Sequence, residues 1–531
     1  MESREDFELS GIELNTWYYE FNWIRVFAII LIATILIFWK EINNFFNARK
    51  KIQIIIYVIA IATLGIICGS YCIKYPIKQS RFYEFLETRI EVDAYNLLTE
   101  SILNGRIDLN YKYKGSPVKQ KDINDLQNLD NYKDMSERRE KQVVHYYDLA
   151  FYNGKYYCYF GIVPVITVML PLALITGLIP YSSIPCLIYA IVTMIMFLLI
   201  YFEILKRLNI KFGFIFEFIL YITLFFTTGI PYLLTHPTMY EAAQLSGIAW
   251  GMIGVYSLLR LSNKNGTLWK LALAGLSFGL MVCSRSLYVI YFPIFLILSY
   301  KYLIENKKIN IKNCLYFAVP IVVLAISQMI YNYVRFDNVF EFGQFYQLTI
   351  NDPSLQKMDI GMSISGILAY LFTCPEISSV YPFVKTAFSR VANGNLIFEL
   401  KICGLIFYPF LCIMFAGGKL LKNNKQLKIL WVTIIAITLI ALSVNTCLAG
   451  VNQRYDVDIQ PCLTLMSLCL WGFYLKKYNF DRRSKWLVII LSIISCFVAI
   501  CIDAPKIAFE LMGIYDIKMP YIIEHALKFY L

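Results

Sequence analysis

The hydrophobic positions of this chain occur in long unbroken runs, not in the alternating or one-sided patterns of soluble domains. Runs of roughly 17 to 23 apolar residues match the thickness of a bilayer core, and about twelve of them can be traced. A helix satisfies its own backbone polar groups in lipid, so the pattern predicts an all-α polytopic membrane protein. The predicted transmembrane helices begin near Trp23, Ile52, Ile184, Phe212, Met239, Leu268, Leu287, Asn313, Leu400, Leu427, Val457 and Trp486.

One further apolar stretch, Phe160 to Gly177, is interpreted as a juxtamembrane or re-entrant helix at the outer surface. Pro164 and Pro171 interrupt it, and broken helices at membrane depth must be sheltered by protein. Counting this stretch as a span would also move the basic segment 206–211 outside and invert every later loop.

Lysine and arginine are concentrated in short loops between the apolar runs, which assigns those loops to the cytoplasm. The acidic N-terminus and two large loops, Tyr75 to Tyr159 and Arg335 to about Glu399, then lie outside. The polar middle of the first loop, Asn110 to Gln142, is typical of a solvated surface excursion. In the second loop, Gly361 to Phe372 is too short to span. The basic segments are Lys40 to Lys51, Lys206 to Lys211, Arg260 to Lys270, Lys301 to Lys312, Lys419 to Lys428 and Lys476 to Lys485.

On this topology the chain divides into segments of distinct character. Residues 1–74 hold the N-terminal tail and the first two transmembrane helices, residues 75–183 the first extracytoplasmic loop with its juxtamembrane helices, and residues 184–334 the central helices. Residues 335–399 form the second large extracytoplasmic loop, residues 400–503 the C-terminal helices, and residues 504–531 an extracytoplasmic tail.

Composition excludes two classes of protein. With 58% hydrophobic and 16% charged residues, the chain is too apolar for a soluble globular protein. Its 49 Lys and Arg exceed its 37 Asp and Glu, but these basic residues flank apolar runs, where they contact membrane lipids, so nucleic-acid binding is not expected. The 14 cysteines show neither paired spacing nor metal-ligand clusters, so we expect no disulfide framework and no metal site.

Carboxylates in the first outer loop are the candidate catalytic groups. The apolar spacing from Thr88 to Gly105 predicts an amphipathic helix on the membrane surface, capped by Gly105. Glu91 and Asp93 are two residues apart, so a helix splays them by about 200° and only one faces a common site. Asp93 is the first choice, because Tyr95 beside it anchors the helix in the membrane. The alternative for either side chain is a solvated surface carboxylate.

A tyrosine-rich segment from His145 to Gly161 is the second candidate element. Asn153-Gly154 predicts a tight turn between two strand-like arms, with Asp148 as a third candidate carboxylate and Tyr157 as a candidate sugar contact. Aromatic faces with hydroxyl tips suit sugar stacking, and they equally suit an aromatic belt at headgroup depth.

The outer side carries three arginines: Arg285, Arg335 and Arg454. Their position needs an explanation, because basic residues favour the cytoplasmic side. A phosphate explains them, because a guanidinium binds phosphate in a bidentate way. The alternative is an ion pair with a neighbouring aspartate. Further candidate substrate contacts in the outer loops are Tyr95, His236, Glu241, Glu341, Tyr455 and Asp458.

The order of these features resembles a known enzyme group. A first-loop acid, a juxtamembrane helix, Arg335-Phe336 with Glu341-Phe342-Gly343-x-x-Tyr346, and Arg454-Tyr455-x-x-Asp458 are similar to motifs of bacterial GT-C membrane glycosyltransferases. Within that group the chain most resembles protein O-mannosyltransferases and aminoarabinose transferases, over most of its length from about Ile52. It departs from their pattern at Gly161-Ile162-Val163-Pro164, where the family often has Glu-Lys-Pro, and by an extra span before the first loop.

The resemblance implies a GT-C bundle of about twelve transmembrane helices with extracytoplasmic juxtamembrane helices. It also implies a polyprenyl-phosphate-sugar donor and an inverting transfer, with Asp93 as general base. The acceptor is then a cell-surface glycan, lipid or protein, the site lies outside a bacterial cytoplasmic membrane, and no cofactor beyond the lipid-linked donor is needed.

Physical chemistry points the same way. Nucleotide sugars are absent outside the cytoplasm, so an outer-face transferase needs a donor carried across on a lipid. Deprotonating the acceptor hydroxyl requires a positioned carboxylate, and the departing phosphate requires fixed cations. Two alternatives stay open: a lipid-linked glycan polymerase or ligase, and a transporter or flippase. Transport would favour charges at mid-membrane, and the charged positions within these runs, Glu203 and Glu217, lie near the cytoplasmic side.

The loop charges generate a topology prediction. In a variant lacking the native outer cysteines, Asp130→Cys should react with a membrane-impermeant maleimide in intact cells and Lys425→Cys should not. Permeabilised cells serve as the control, since both positions should then react. Labelling at 425 but not at 130 in intact cells would overturn the topology.

Overall fold

The computed structural model describes residues 23–74, 82–86, 88–109, 118–127, 135–261, 267–305, 308–349, 357–377, 384–385 and 403–515. The helices are α1 (Trp23–Ile37), α2 (Trp39–Asn47), α3 (Lys50–Lys74), α4 (Ala94–Leu103), α5 (Gln120–Leu126), α6 (Met135–Glu140), α7 (Leu170–Thr176), α8 (Ser183–Arg207), α9 (Phe214–Thr227), α10 (Ile230–Leu234), α11 (Met239–Leu259), α12 (Thr267–Ser284), α13 (Phe292–Leu303), α14 (Ile311–Phe336), α15 (Ile360–Phe372), α16 (Gly417–Leu420), α17 (Lys425–Ala449), α18 (Gln453–Asp456), α19 (Gln460–Lys477) and α20 (Arg482–Tyr515). The strands are β1 (Phe82–Leu86), β2 (Arg89–Val92), β3 (His145–Tyr146), β4 (Ala150–Tyr152), β5 (Lys155–Tyr157), β6 (Ile304–Glu305), β7 (Lys308–Ile309), β8 (Glu376–Ile377) and β9 (Val384–Lys385).

Long apolar helices dominate this architecture. Among the described residues, six helical segments are long and apolar enough to cross a membrane: Ser183–Arg207, Met239–Leu259, Ser286–Leu303, Ile311–Phe336, Lys425–Ala449 and Arg482–Ile502. On α14, Val322, Ile326 and Ile330 are more than half exposed, as expected of side chains that face lipid. The chain is therefore a mainly α-helical membrane protein, with its short strands confined to the connections.

Most predicted helix starts agree with the structure. The helices α3, α8 and α17 begin within two residues of the predicted positions. The exception is the span predicted near Leu400, which lies outside the described residues. From Cys403 onward the prediction is wrong, because residues 405–407 and 411–416 form 3₁₀ turns that lead into the four-residue helix α16.

Neighbouring helices shelter this broken segment. Pro409 interrupts it, and the Phe410 N–H donates to Ser495 Oγ of α20 at 2.8 Å. The Trp471 indole of α19 donates to the Phe410 carbonyl at 2.9 Å. Irregular backbone in an apolar bundle is tolerated where protein supplies such partners.

The centre of the bundle is α11, which packs between α8 and α12, with α14 on the far side of α12. Gly247 of α11 lies against the Tyr288 ring so closely that an added Cβ would overlap it. Small residues allow close approach of this kind in membrane helices. The close contact brings the first turns of α11 next to the connection between α12 and α13.

The basic segments meet at one end of the bundle. Arg260, after α11, pairs with Glu203 of α8 at 3.3 Å, and Arg207 donates to the Leu259 carbonyl. Asn47, the last residue of α2, accepts from the Phe214 N–H at 2.9 Å. The tyrosine-rich segment and the outer arginines belong to the opposite helix ends.

The first outer segment is more ordered than the predicted surface excursion. Strands β1, β2 and β3 form a sheet in which β2 and β3 run parallel, and the described residues of 110–142 include α5 and α6. Ile123, Leu126 and Arg138 are buried, so this part packs instead of being solvated throughout. The tight turn is confirmed: Asn153 and Gly154 both have positive φ, 48° and 73°, between β4 and β5.

The predicted helix from Thr88 is wrong at its start. Residues 89–92 form strand β2, and the helix begins only at Ala94 with Asp93 as its N-cap. Alternating Ile90 and Val92 are buried, a period of two that indicates a strand. The cap at the other end is confirmed, since Gly105 has a φ of 70°.

The juxtamembrane stretch does not form a spanning helix. A π-helical turn over 165–169 leads into α7, which ends at Gly177 with a φ of 71°. At 1.5 Å per residue, the apolar helix Val165–Thr176 covers about 18 Å, short of the roughly 30 Å hydrocarbon core. At the other end of the chain, α20 continues to Tyr515, beyond the position where a tail was predicted; residues 516–531 lie outside the described part.

A buried histidine and arginine join the two outer loops. His145 is fully buried and its Nε2 lies 3.2 Å from Arg138 Nε, while Nδ1 contacts the Val143 carbonyl at 3.0 Å. Arg138 also donates to the Thr349 carbonyl of the second loop. Burial, reinforced by the Arg138 charge, lowers the pKa of His145 from 6.5 to about 3. The imidazole is therefore neutral and accepts the arginine N–H.

This histidine predicts a pH dependence of stability. Between pH 6.5 and about 3, the unfolded chain binds a proton at His145 that the folded protein does not, so stability falls as the pH falls. In detergent, the midpoint temperature of unfolding should decrease between pH 7.5 and pH 5. The decrease should be steeper for the wild type than for His145→Gln. His236→Gln is the matched control and should follow the wild type. Equal slopes for the wild type and His145→Gln would contradict the prediction.

Candidate functional site

The first turn of α11 fixes the first carboxylate of the site. Thr238 caps the helix, and Glu241 reaches back so that its Oε2 accepts from the Thr238 N–H at 3.2 Å and the hydroxyl at 2.5 Å. This is the Thr-x-x-Glu capping box. The other oxygen of Glu241 accepts from Arg454 Nη1 at 3.4 Å, so the predicted substrate contact Glu241 instead holds an arginine.

Arg454 extends from the short helix α18, whose N-cap, Asn452, accepts from the Arg454 N–H at 2.9 Å. Its guanidinium lies 4.7 Å from the Tyr240 ring centre and 5.1 Å from that of Tyr455, and Nη2 contacts the Tyr455 hydroxyl at 3.2 Å. In the described part of the chain, its buried Nε–H has no hydrogen-bond acceptor. With its side chain 18% exposed, Arg454 keeps a donor for a ligand.

Asp458 organises the second arginine. Its carboxylate accepts from Arg285 Nη2 at 2.8 Å and is completely buried. Three further donors reach it: the Tyr288 hydroxyl at 2.8 Å, Gln244 Nε2 at 3.0 Å and Asn445 Nδ2 at 3.0 Å. A carboxylate with four hydrogen bonds positions Arg285. It has little capacity left to bind substrate, which is the role that the sequence predicts for Asp458.

The two arginines face a common aromatic ring. Arg285 lies 5.5 Å from the Tyr455 ring centre, and Arg454 contacts the same residue. Arg285 is 23% exposed, and its buried Nε–H has no acceptor among the described residues. The structure therefore brings together the predicted residues Arg285, Arg454 and Tyr455 as a pair of partly open cations around one tyrosine.

Asp148 lies beside this pair. Its oxygens accept from the Tyr159 hydroxyl at 3.1 Å and from the Tyr240 hydroxyl, and Tyr240 is also the ring beneath Arg454. Burial raises the pKa of Asp148, although both tyrosine hydrogen bonds and the Arg454 charge oppose the rise. A carboxylate with a raised pKa next to fixed cations is the usual arrangement for general acid-base chemistry.

The backbone of Asp148 is itself unusual. Its φ is 56°, in the left-handed region where non-glycine residues are rare. The Asp148 N–H donates to the Leu348 carbonyl at 2.9 Å, which ties this turn to the second outer loop. Strained conformations of this kind are held in place by their surroundings and cluster at functional sites.

Arg89 and Tyr147 border Asp148 from the outer sheet and were not predicted. The Arg89 guanidinium lies 3.6 Å from the Tyr147 ring centre and pairs with Glu91, which is the role the structure gives this candidate carboxylate. The sequence predicted a helix from Thr88, so the position of Arg89 was missed. The pairing of strand β2 with β3 is what brings Arg89 over Tyr147. Tyr159 and Tyr240 were also missed as site residues; the Tyr240-Glu241 adjacency was their only sequence signal.

Asp93, the first predicted catalytic residue, occupies an N-cap. It is 2% exposed and accepts from the Tyr95 and Asn96 N–H groups, both at 3.1 Å. It also accepts from the Ser182 N–H at 2.7 Å and the hydroxyl at 2.6 Å. These bonds join α4 to the start of α8, so the observed contacts of Asp93 are structural.

Tyr95 also acts within this scaffold. Its hydroxyl donates to the Gly161 carbonyl at 2.7 Å. Gly161 in turn lies so close to the Cys283 and Ser284 carbonyls that a Cβ would overlap them. Tyr95 therefore holds the outer segment against the residue that precedes Arg285.

A separate cluster contains three of the other predicted residues, Arg335, Tyr157 and Glu341. Arg335 is 2% exposed; it donates to the Cys158 carbonyl at 2.6 Å and to Asn332 Oδ1 at 2.8 Å, not to a neighbouring aspartate. Tyr157 packs on Phe336, and Glu341 accepts from the Gly343 N–H at 2.6 Å. His236 lies at the turn before α11, where its carbonyl accepts from the Thr238 N–H at 2.8 Å.

Within the described ranges, no three His, Cys, Asp or Glu side chains gather in a metal-binding arrangement, and the expectation that no metal is needed stays a prediction. No family model matches the sequence, and no curated protein sequence is detectably similar to it. The chemistry must therefore be inferred from the cations around Tyr455 and the carboxylate beside them.

Proposed function

We propose that this protein is a membrane glycosyltransferase of the GT-C type, with about twelve transmembrane helices. It moves a sugar from a polyprenyl-phosphate donor to an extracytoplasmic glycan, lipid or protein, with inversion at the sugar carbon. The observation that carries the proposal is the pair Arg454 and Arg285 beside Asp148. Among the described residues, neither arginine has an acceptor for its buried Nε–H, and the carboxylate accepts from the Tyr240 hydroxyl.

The membrane placement follows from the clustered basic loops. Positive residues favour the cytoplasmic side, so the end holding Arg207 and Arg260 is cytoplasmic and the site opens outside, in a bacterial cytoplasmic membrane. A donor used there must arrive on a lipid, because nucleotide sugars are cytoplasmic. Its polyprenyl chain lies among the apolar helices, and its phosphate reaches the arginines at the helix ends.

The arginines suit a phosphate leaving group. Both are already neutralised, Arg454 by Glu241 and Arg285 by Asp458, so the site carries little excess charge and favours a singly charged phosphodiester. As the bond between the sugar carbon and the phosphate oxygen breaks, negative charge develops on the phosphate. Fixed donors at that point stabilise the transition state more than the ground state.

Asp148 is the general base in this proposal. The acceptor oxygen attacks the sugar carbon from the face opposite the phosphate, and its proton passes to the Asp148 carboxylate. The Tyr240 and Tyr159 hydroxyls orient that carboxylate, and its raised pKa favours proton uptake. Asp93 is the alternative base that the family resemblance implies, and its four hydrogen bonds favour a positioning role.

A polymerase or ligase of lipid-linked glycans shares this chemistry and differs only in the acceptor. Transport receives less support, because its candidate charges have structural contacts. Glu203 pairs with Arg207 and Arg260, and Glu217 accepts from the Phe212 N–H at the start of its own helix.

Arg454 should dominate binding of the lipid phosphate. Arg454→Ala should weaken the affinity for undecaprenyl phosphate in nanodiscs by about 1.5 to 3 kcal/mol, the range for a hydrogen bond to a charged group, or about 10- to 150-fold. Arg454→Lys should recover only part of the loss, because it lacks the planar fork. Arg260→Ala, at the basic end, is the control. An unchanged affinity in Arg454→Ala would move the role to Arg285 or Arg335.

The carboxylates can be separated by turnover. Asp148→Asn keeps the shape and tolerates the left-handed backbone but loses basicity, so sugar transfer should fall about 10²- to 10⁴-fold with lipid-phosphate affinity nearly unchanged. Asp93→Asn should cost less rate and lower the unfolding midpoint. The reverse pattern, an active Asp148→Asn and an inactive but stable Asp93→Asn, would make Asp93 the base. Full activity in both variants would argue against the transferase itself.

A further inference from the structure

We propose that Arg89 and Tyr147 form a second anion-binding subsite near Asp148, separate from the Arg454 and Arg285 pair, for an oxyanion group carried by the acceptor. This inference rests on the proposed transferase function and names the chemical class of its acceptor. The acceptor is a hydroxyl compound that bears a phosphate or carboxylate group near the hydroxyl that receives the sugar.

Arg454 and Arg89, whose charges both act on Asp148, are held in the same way. Arg454 lies over Tyr240, pairs with Glu241 and has a buried Nε–H without an acceptor among the described residues.

Arg89 lies over Tyr147, pairs with Glu91 and also has a buried Nε–H without an acceptor in the described part of the chain. Each cation is thus held by a ring and a carboxylate while one N–H donor has no acceptor there.

The backbone fixes Arg89 at this position. Arg89 is opposite His145 in the parallel pairing of β2 and β3, and the Tyr147 N–H donates to the Ile90 carbonyl at 2.8 Å. Tyr147 immediately precedes Asp148, so the ring under Arg89 and the proposed base belong to one turn. The side chain of Arg89 is 23% exposed, so part of it is open to solvent.

A buried N–H donor without an acceptor lowers stability, because it has lost its hydrogen bonds to water. An oxyanion relieves that cost with a charge-assisted hydrogen bond, and guanidinium geometry suits phosphate and carboxylate groups in particular. The donor phosphate already has Arg454 and Arg285. Because Asp148 must contact the acceptor hydroxyl, a second cation whose charge reaches Asp148 is placed to meet a group close to that hydroxyl.

The test uses the full-length protein in nanodiscs saturated with undecaprenyl phosphate, with calorimetric titration of two probes, glycerol 1-phosphate and glucuronate. The wild type should bind at least one probe, and Arg89→Ala should weaken that binding about tenfold or more, as loss of a charged hydrogen bond implies. Arg106→Ala is the matched control, because Arg106 also pairs with an acid two residues later in the chain, Asp108. This variant should bind the probe as tightly as the wild type does. Arg89→Lys, which keeps the charge, should show an intermediate affinity and covers the case in which Arg89→Ala does not fold.

Three results would overturn the subsite: neither probe binds the wild type, Arg89→Ala and Arg89→Lys bind the probe as tightly as the wild type, or a probe binds in nanodiscs without undecaprenyl phosphate but not in the saturated ones. Failure of the proposed function looks different. In that case the wild type does not bind undecaprenyl phosphate, while the probe still binds and Arg89→Ala still loses it, which supports an anion site that serves another chemistry.

Discussion

The ion pair between Asp458 and Arg285 is the interaction on which the site depends. Through its carboxylate, Asp458 draws donors from α11, from α17 and from the connection between α12 and α13. A buried charge is stable only when its desolvation is offset by several well-placed partners. The same carboxylate therefore fixes four chain segments relative to one another, and with them the Tyr455 ring that both arginines share.

Charge balance explains how so many ionised groups coexist near the membrane. Arg285, Arg454 and Arg89 each have a carboxylate partner, in Asp458, Glu241 and Glu91. Asp148 instead accepts from two tyrosine hydroxyls, and burial raises its pKa. The pairs hold the cations in place without a strong net field. Asp148 is bonded to two neutral hydroxyls and has a raised pKa, so it is the carboxylate of this site best able to exchange a proton.

The apolar runs predicted most helix positions, because bilayer thickness constrains length and composition together. That constraint is weak where Pro409 breaks a run, and the chain there forms 3₁₀ turns sheltered by Trp471. For the site, the sequence predicted Arg454, Arg285 and Asp148 as members, since outer arginines and acids are conspicuous. It did not predict that Asp93 would cap a helix, because the segment before it was expected to be helical and is instead strand β2. It also did not predict the place of Arg89 over Tyr147, which depends on the pairing of β2 with β3 between residues 56 positions apart, such as Arg89 and His145.

The left-handed backbone at Asp148 also limits how this position can vary in evolution. At a φ of 56°, aspartate, asparagine and glycine are tolerated, whereas β-branched and bulky side chains are strained. A lineage that exchanged Asp148 for a longer acid would keep the charge but disturb the turn that is held by the Leu348 carbonyl. Related chains that lose the activity should therefore drift first to asparagine or glycine here, and such a substitution would mark a copy that retains the fold while having given up the chemistry.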